Sequence, residues 1–300
     1  KDTDGVDVHA RKSGVAHLEC STDEECLQTI KKYLAFFPKS FRDPVPQLGV
    51  RGDLTRGDNI FSIIPDSTRK PYNMLEVVGW LVDAGETLEI QPQWARNIIT
   101  ALARIGGFAV GIVANQPQVL GGAIDLDAAD KAAHFMSLCD AFGIPLVFLH
   151  DCPGFWVGSR MEQAGIIRHG AKMLHAMSSA TVPKLSVIVR KSCGAGYYVM
   201  CGRGFKPDLL VAWPGAQIAL MSPEGAASII AADAPDKERM VAEFMDEIDA
   251  RHAARLGVLD EVIDPRTTAQ AIADNLRLLM PQHNRERAGL TRRKHGVSPV

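Results

Sequence analysis

From about residue 70 onward, short apolar runs alternate with amphipathic segments, and this alternation restricts the fold more than any other feature. Residues 146–150 and 184–190 have the composition of short buried strands, and residues 161–179 between them have helical spacing. A strand, a crossover helix and a second strand form the repeating unit of parallel sheets. The sequence therefore predicts an α/β fold with a largely parallel sheet.

Turn and capping residues mark the other predicted elements. Asp127 precedes a helical run that Gly143 and Pro145 end, and Ser-Pro-Glu at residues 222–224 is typical of a helix N-terminus. Further helices are predicted over residues 23–37, 74–84, 197–201, 237–256 and 267–280, and further strands over residues 108–114, 209–213 and 217–221.

The segment before residue 70 has a different character. After the helix predicted over residues 23–37 come Pro38, Pro44 and Pro46, and then a stretch rich in glycine and charge over residues 48–59. Such composition is typical of a linker. We therefore expect the core domain to begin near residue 70.

Charge and composition exclude several kinds of partner. The 33 Lys and Arg residues nearly balance the 35 Asp and Glu residues, which argues against nucleic-acid binding. No apolar run approaches the roughly 20 residues that cross a bilayer, and the first ten residues do not resemble a secretory signal. The six cysteines include no C-x-x-C pair, and the histidines lack zinc-site spacing. The sequence predicts a cytoplasmic protein with reduced thiols, no metal and no membrane partner.

The sharpest local motif is Lys-Ser-Cys-Gly-Ala-Gly-Tyr-Tyr at residues 191–198, where a predicted strand turns into a helix. Such a turn can direct two backbone N–H groups toward an oxyanion. Equally, the glycines can serve only a tight turn and close packing of helix on sheet. The motif is neither G-x-G-x-x-G nor G-x-S-x-G, which disfavours nucleotide binding and serine hydrolysis.

A second motif, Asp-Cys-Pro-Gly-Phe at residues 151–155, follows a predicted strand. Ligands of α/β sheets bind at the carboxyl ends of strands, although most such loops bind nothing. Ser192 and Cys193 are candidate nucleophiles, with His169 or His175 as a base, yet nothing in the sequence pairs them. We therefore expect Cys193 to be a small buried residue.

With these elements placed, the chain resembles the carboxyltransferase (beta) subunit of biotin-dependent acyl-CoA carboxylases, the family of the propionyl-, acetyl- and methylcrotonyl-CoA enzymes. The motifs that carry the resemblance occur in the family's order over about residues 69–300. They are Asn-Ile-Ile-Thr at 97–100, Val-Ala-Asn-Gln-Pro at 113–117, residues 125–133 and 139–145, the Pro-Gly-Phe loop, Ile-Ile-Arg-His-Gly-Ala-Lys at 166–172, Gly-Ala-Gly at 194–196, Trp-Pro at 213–214 and Ser-Pro-Glu-Gly at 222–225.

The resemblance implies a crotonase-like (ββα spiral) domain over residues 70–300. Family members have two such halves, an N-terminal half that holds acyl-CoA and a C-terminal half that faces biotin. Residues 8–16 resemble the end of the first half, so residues 1–69 are expected to comprise that end plus a linker, with most of the first half missing. A biotin carboxylase or biotin carboxyl carrier subunit and a homo-oligomer are the implied partners. The implied location is the bacterial cytoplasm or the mitochondrial matrix.

The chemistry implied by the resemblance is carboxyl transfer from carboxybiotin to the α-carbon of an acyl-CoA, with biotin carried on a partner domain. The ureido anion that remains helps to remove the α-proton, and the enolate then attacks the carboxyl carbon. The backbone amides of Ala195 and Gly196 would stabilise the biotin-side oxyanion, and Gly194 would allow close approach. Gly154 and Phe155 would form the opposing wall, with Tyr197 and Tyr198 as further binding residues.

One departure concerns the substrate. Many family members have Gly-Gly-Ala at the turn and a short residue after the following tyrosine, whereas this chain has Gly-Ala-Gly and Tyr198. That position lies near the acyl end in relatives, so the identity of the acyl-CoA stays open. A biotin-dependent acyl-CoA decarboxylase of the same architecture and a non-catalytic assembly half are the alternative functions.

Overall fold

The computed structural model describes residues 5–50, 52–220, 244, 246–291 and 295–297. Within these residues the strands join in one sheet, in the order β1-β2-β3-β4-β5-β6-β8, with β7 paired to β5. The strands are β1 Thr87–Ile90, β2 Ile98–Ile105, β3 Phe108–Asn115, β4 Leu146–Cys152, β5 Lys184–Cys193, β6 Leu209–Ala212, β7 Gln217–Ala219 and β8 Glu261–Val262.

The sheet is mixed. Strands β3, β4, β5, β6 and β8 pair in parallel, as does β7 with β5, which confirms the parallel part of the prediction. Strands β1, β2 and β3 pair antiparallel, and β1 and β2 were not predicted. All eight residues of β2 are buried, so this strand lacks the alternation by which a half-exposed strand is recognised.

Helices cover the sheet and lie between its parallel strands. They are α1 Asp23–Leu34, α2 Ile60–Ile63, α3 Met74–Leu81, α4 Leu126–Phe142, α5 Ser159–Ala164, α6 Ile166–Ser179, α7 Gly194–Val199, α8 Ala250–Arg255 and α9 Thr268–Ala288. A π-helical turn occurs at Asp7–Lys12, and 3-10 turns occur at Leu120–Gly122, Arg203–Phe205 and Pro265–Thr267.

Two predicted helix boundaries need correction. The N-cap of α4 is Asp125 rather than Asp127, because the Asp125 carboxylate accepts a hydrogen bond from the Ala128 N–H at 2.9 Å. The other end is as predicted, since Gly143 takes the left-handed conformation that ends a helix. The helix predicted over residues 161–179 is two helices, because Gly165, at φ 90°, breaks it.

The C-terminal helices also differ from the prediction. In the described part of residues 237–256, Ile248 and Asp249 are not helical, because Asp249 bridges to Gln217 and α8 begins only afterwards. Helix α9 continues past residue 280 to Ala288, with Pro281 inside it. The Ser-Pro-Glu motif at residues 222–224 lies outside the described residues.

The main apolar core lies between the sheet and α3, α4, α6 and α9. Phe36, Leu54 and Ile60, which precede residue 70, are buried in the same cluster as the strands. The Arg104 side chain extends from β2 to the carbonyl oxygens of Ala35 and Pro46. A domain boundary at residue 69 stays a prediction.

A buried lysine anchors the loop between β1 and β2. The Lys131 ammonium on α4 donates to the carbonyl oxygens of Gln91, Trp94 and Ile98 at 2.8–2.9 Å, and to that of Ala95 at 3.4 Å. Burial lowers its pKa to about 8, and the Glu89 carboxylate opposes that shift. The ammonium therefore ties α4 to a loop that has little regular structure of its own.

Candidate active site

The candidate site lies where β4 and β5 end side by side, at the carboxyl edge of the parallel strands. Their pairing is regular up to His150 opposite Ile188 and resumes at Cys152 opposite Ser192. A single residue of β4, Asp151, therefore faces three residues of β5, which makes a bulge. Such bulges redirect a strand and are common next to active sites.

Helix α7 begins directly after β5. A separate turn over residues 191–196 was expected between them, but residues 191–193 belong to β5 and the helix begins at Gly194 rather than near Tyr197. Gly194 has φ +55°, a conformation that other residues rarely adopt. N–H groups in the first turn of a helix have no acceptor within it, and those of Ala195 and Gly196 lie in this turn. Ala195 is exposed, whereas Gly196 is buried.

Gly196 packs directly on the loop that follows β4. A methyl group at Gly196 would lie 2.6 Å from the Cys152 Sγ atom and 3.1 Å from the Gly154 Cα atom. Contacts this short leave no room for a side chain. The two glycine motifs found in the sequence are therefore in contact.

The Pro-Gly-Phe loop is fixed by backbone bonds. The Ile124 N–H donates to the Gly154 carbonyl at 3.1 Å, and the Trp156 N–H donates to the Ile124 carbonyl at 2.8 Å. The Phe155 ring lies over Gly170 on α6, where an added methyl would be 3.0 Å from the ring. Gly154 and Phe155 thus form a rigid surface beside the first turn of α7.

The two tyrosines of α7 have different surroundings. Tyr197 is buried, its hydroxyl accepts a hydrogen bond from the Arg203 N–H at 2.9 Å, and its ring packs on Gly202. Tyr198 is 42% exposed, with its ring edge-on to those of Tyr197 and Phe205. Of the two, Tyr198 is the side chain that a substrate can reach.

A buried ion pair joins β4 and β5 at the bulge. The Arg190 Nε donates to the Asp151 carboxylate at 2.9 Å, and its Nη1 donates to the carbonyl oxygens of Ser67 and Lys70. Burial raises the pKa of Asp151, and the charges of Arg190 and Lys191 oppose that shift. Sequence reasoning assigned no role to Arg190, although a charged residue at the end of an apolar strand is a signal for such a pair.

A second buried pair was also missed. The His150 Nδ1 lies 2.8 Å from the Ser192 Oγ, and both side chains are fully buried. Burial lowers the pKa of His150 to about 3, an effect that the backbone of Met200 opposes, so the ring stays neutral at neutral pH. The signal in the sequence was a lone histidine in an apolar strand.

The other candidate groups lie elsewhere or are inert. His169 pairs with Asp130 at 2.7 Å rather than with Ser192 or Cys193, and His175 is exposed on α6. Cys193 is buried, as expected, and burial raises the pKa of Cys152 to about 12. A thiol with so high a pKa is a poor nucleophile.

Two features are absent from the described residues. These residues contain no helix that is long and apolar enough to span a bilayer. They also contain no group of three or more His, Cys, Asp or Glu side chains arranged to hold a metal ion.

The mixed sheet and the glycine contact between α7 and the Pro-Gly-Phe loop belong to an α/β domain of the crotonase-like class, a fold that the chain shares with solved carboxyltransferase structures. The carboxyl transferase domain model matches residues 1–297, and the chain belongs to that family. The chain is 41% identical to methylmalonyl-CoA decarboxylase subunit alpha of Veillonella parvula, with 100% of this chain and 58% of that protein covered. It is 40% identical to the methylmalonyl-CoA carboxyltransferase 12S subunit of Propionibacterium freudenreichii subsp. shermanii, with 98% of this chain and 57% of that subunit covered.

A solved structure agrees with these relatives. A crystal structure of transcarboxylase 12S, a hexamer with methylmalonyl-CoA and methylmalonic acid bound, superposes with a TM-score of 0.90 at 38% identity. The match covers 100% of this chain and 58% of that one. The chain therefore spans less than two thirds of the length of these relatives.

Proposed function

We propose that this chain supplies the biotin-facing half of a carboxyltransferase active site, in which a carboxyl group passes from carboxybiotin to the α-carbon of an acyl-CoA. The observation that carries the proposal is the contact between Gly196 and the Cys152–Gly154 loop, which places the first turn of α7 directly against that loop. Family membership and relatives named as carboxyltransferases support it.

The residues present fit this role. When bound, carboxybiotin supplies the carboxyl group and afterwards an anionic ureido oxygen. The N–H groups of Ala195 and Gly196 would donate hydrogen bonds to that oxygen, because an oxyanion site requires fixed donors rather than a nucleophile. Gly194 sets the direction of the two groups through its positive φ. Gly154 and Phe155 close the opposite side and exclude water from the anion.

The nucleophilic side chains near the site are placed in a way that disfavours covalent catalysis. Cys152 and Cys193 are buried, and Ser192 is hydrogen-bonded inside the protein to a neutral histidine. No nucleophilic step is assigned to any of the three. The chain's contribution is electrostatic and geometric.

Exposed apolar side chains occupy the segments next to the site. Trp156 and Val157 follow the Pro-Gly-Phe loop, Ile167 lies on α6, and Leu220 follows β7. Exposed apolar surface of this kind is usually covered by another chain or domain. We therefore propose that this face meets an acyl-CoA-holding half, in a homo-oligomer with a biotin carrier as partner. A clean monomer in light scattering at micromolar concentration would count against this part of the proposal.

A second candidate, biotin-dependent decarboxylation, has one specific observation in its favour. Two relatives at 40–41% identity are named methylmalonyl-CoA decarboxylase subunit alpha. Both activities use the same oxyanion site and differ in the direction of carboxyl transfer. The acyl-CoA preference and a cytoplasmic location also stay predictions.

The test is a carboxyl-transfer assay with a panel of acyl-CoAs and a carboxylated biotin carrier domain. The chain is assayed alone and with a separately expressed N-terminal half of the 12S carboxyltransferase. We expect activity only in the mixture. The reverse assay follows biotin-dependent loss of the carboxyl group from methylmalonyl-CoA, and it tests the decarboxylase candidate. If folded, associated proteins show neither reaction, the proposal is wrong and a non-catalytic assembly role is favoured.

A further inference from the structure

The end of β5, which leads into α7, is not held to β4 by regular pairing. Beyond the bulge, only Cys152 opposite Ser192 remains in register before β4 ends. On its other side, β5 leaves β6 after Ile188 and pairs with the short β7 over three residues. The position of Gly194–Gly196 relative to Gly154 therefore depends on contacts other than the β4–β5 ladder.

His150 supplies such a contact. It is the last residue of β4 in regular register, and its Nδ1 lies 2.8 Å from the Oγ of Ser192, the first residue of β5 back in register. This hydrogen bond therefore joins the residue of β4 before the bulge to the residue of β5 after it. The Asp151–Arg190 pair lies inside the bulge and joins the same two strands.

The other ring nitrogen, Nε2, is buried without a hydrogen-bond partner among the described residues, so the side chain of His150 is linked to β5 through the Nδ1–Ser192 bond. Because the ring is fully buried and neutral, it provides this support without placing a charge beside an oxyanion.

A catalytic serine–histidine dyad does not fit these observations. Ser192 and His150 are both fully buried, so no substrate carbonyl reaches the Ser192 Oγ. A nucleophilic serine must be exposed to its substrate. The arrangement suits a supporting role instead.

We infer that His150 is a positioning residue, which through Ser192 holds the Ala195 and Gly196 N–H groups against Gly154. This inference rests on the proposed carboxyl-transfer function. Misplacement of a reacting group by about 1 Å can cost about 100-fold in rate. Loss of the His150–Ser192 bond should therefore lower kcat while the affinity for acyl-CoA is unchanged.

Two substitutions of His150 separate the hydrogen bond from the bulk of the ring. Asparagine places its amide near the position of Nδ1 and can still bond to Ser192, whereas glutamine places it near the position of the other nitrogen. We expect His150→Gln and Ser192→Ala to lower kcat about 10- to 100-fold with little change in KM for acyl-CoA. His150→Asn should retain most of the activity. Thr100→Val is the matched control, since it removes a buried hydroxyl on β2 that bonds to the Ile90 carbonyl.

Hydrogen exchange gives a readout that does not require activity. The Met200 and Cys201 N–H groups donate to the carbonyl oxygens of Gly196 and Tyr198. Their exchange should be about tenfold faster or more in His150→Gln and Ser192→Ala, and unchanged in Thr100→Val.

The outcomes separate this inference from the proposed function. If the unmodified assembly transfers no carboxyl group, the proposed function is wrong, and the exchange data still decide whether His150 holds α7. If the unmodified assembly is active and the folded His150→Gln and Ser192→Ala proteins match it in kcat and exchange, the inference is overturned. It is also overturned if His150→Asn is as impaired as His150→Gln.

Discussion

Gly196 and Gly154 lie so close together that a methyl group on Gly196 would be 3.1 Å from the Gly154 Cα atom. The two residues are 42 positions apart in sequence and belong to different motifs, the turn into α7 and the Pro-Gly-Phe loop. Because both surfaces are backbone, neither can move away as a flexible side chain would. The contact therefore fixes the distance between the proposed oxyanion donors and the opposing wall.

The first prediction concerns this contact. Gly196→Ala should lower carboxyl transfer about 10-fold and destabilise the fold by about 1–3 kcal/mol, because the new methyl overpacks the site and displaces the donors without removing them. Gly204→Ala is the control, since a methyl there meets nothing within 4 Å. Steady-state rates and urea unfolding measure both effects. Equal behaviour of the two variants would show that the glycine contact is unimportant.

Replacing Gly196 by proline addresses the N–H group itself. Gly196→Pro removes one proposed donor, at an expected cost of about 100- to 1000-fold in rate. The proline ring would also collide with Cys152, because even a methyl at this position lies 2.6 Å from its Sγ. The result therefore has meaning only beside Gly196→Ala, which keeps the N–H group and adds only bulk. Equal rates for the two variants would mean that this donor adds nothing.

The second prediction separates backbone-amide catalysis from thiol catalysis. Cys193→Ala should retain most of the activity, because Cys193 is buried and its side chain does not cap α7. The measurement is kcat for carboxyl transfer, with circular dichroism to confirm folding. An inactive but folded Cys193→Ala protein would contradict the mechanism.

The parallel half of the sheet and the two glycine motifs were predictable because each leaves a local signal. Strands β4 and β5 are short apolar runs, and the glycines that follow them interrupt the apolar pattern. Strand β2 gave no such signal, because it is buried on both faces and its central Ala-Leu-Ala-Arg at residues 101–104 suits a helix equally well.

The side-chain pairs beneath the site were not predictable from one sequence. His150 and Ser192 are 42 residues apart, and they meet only because β5 has two more residues than β4 at the bulge. A bulge changes which residues face each other but leaves little trace in composition. Because the bulge is not visible in the sequence, His169 and His175 were the candidate bases for Ser192 and Cys193, although both histidines lie on α6.

The third prediction concerns Lys131. Lys131→Met should lower the free energy of unfolding by about 3–5 kcal/mol, because it leaves buried carbonyl oxygens without their donor. Lys172→Met is the control: this lysine pairs with Asp130 but is 51% exposed, so its loss should cost about 1 kcal/mol at most. Urea unfolding of both variants is the measurement, and similar values for the two would contradict the structural role of Lys131.

The fourth prediction is a pH dependence of stability. The pKa of His150 falls from 6.5 to about 3 on folding, because the ring is buried. Between these pH values the unfolded chain binds a proton that the folded chain does not, so stability decreases as the pH falls. The contribution has a slope of up to about 1.4 kcal/mol per pH unit.

His150→Asn provides the comparison for this pH dependence, because asparagine does not titrate. The pKa values of His17 and His283 are also lowered by burial, but both residues are present in the two proteins. The difference between the two proteins in the slope of unfolding free energy against pH therefore reports the titration of His150. As the pH is lowered from about 6.5 to about 4, the free energy of unfolding should fall less steeply in His150→Asn than in the unmodified protein. Parallel curves would mean that His150 is not buried as a neutral ring.

The fifth prediction concerns the choice of acyl-CoA. Tyr198 is 42% exposed, and its ring is held edge-on by Tyr197 and Phe205, so it presents a fixed apolar surface next to the first turn of α7. If the acyl group meets this surface, Tyr198→Ala should raise kcat/KM for longer or branched acyl-CoAs relative to acetyl-CoA by about tenfold or more, since each methylene is worth about 1–3 kcal/mol. Tyr198→Phe keeps the ring and should leave the ratio unchanged. A uniform loss across all acyl-CoAs in Tyr198→Ala would show that the ring supports α7 and does not select the substrate.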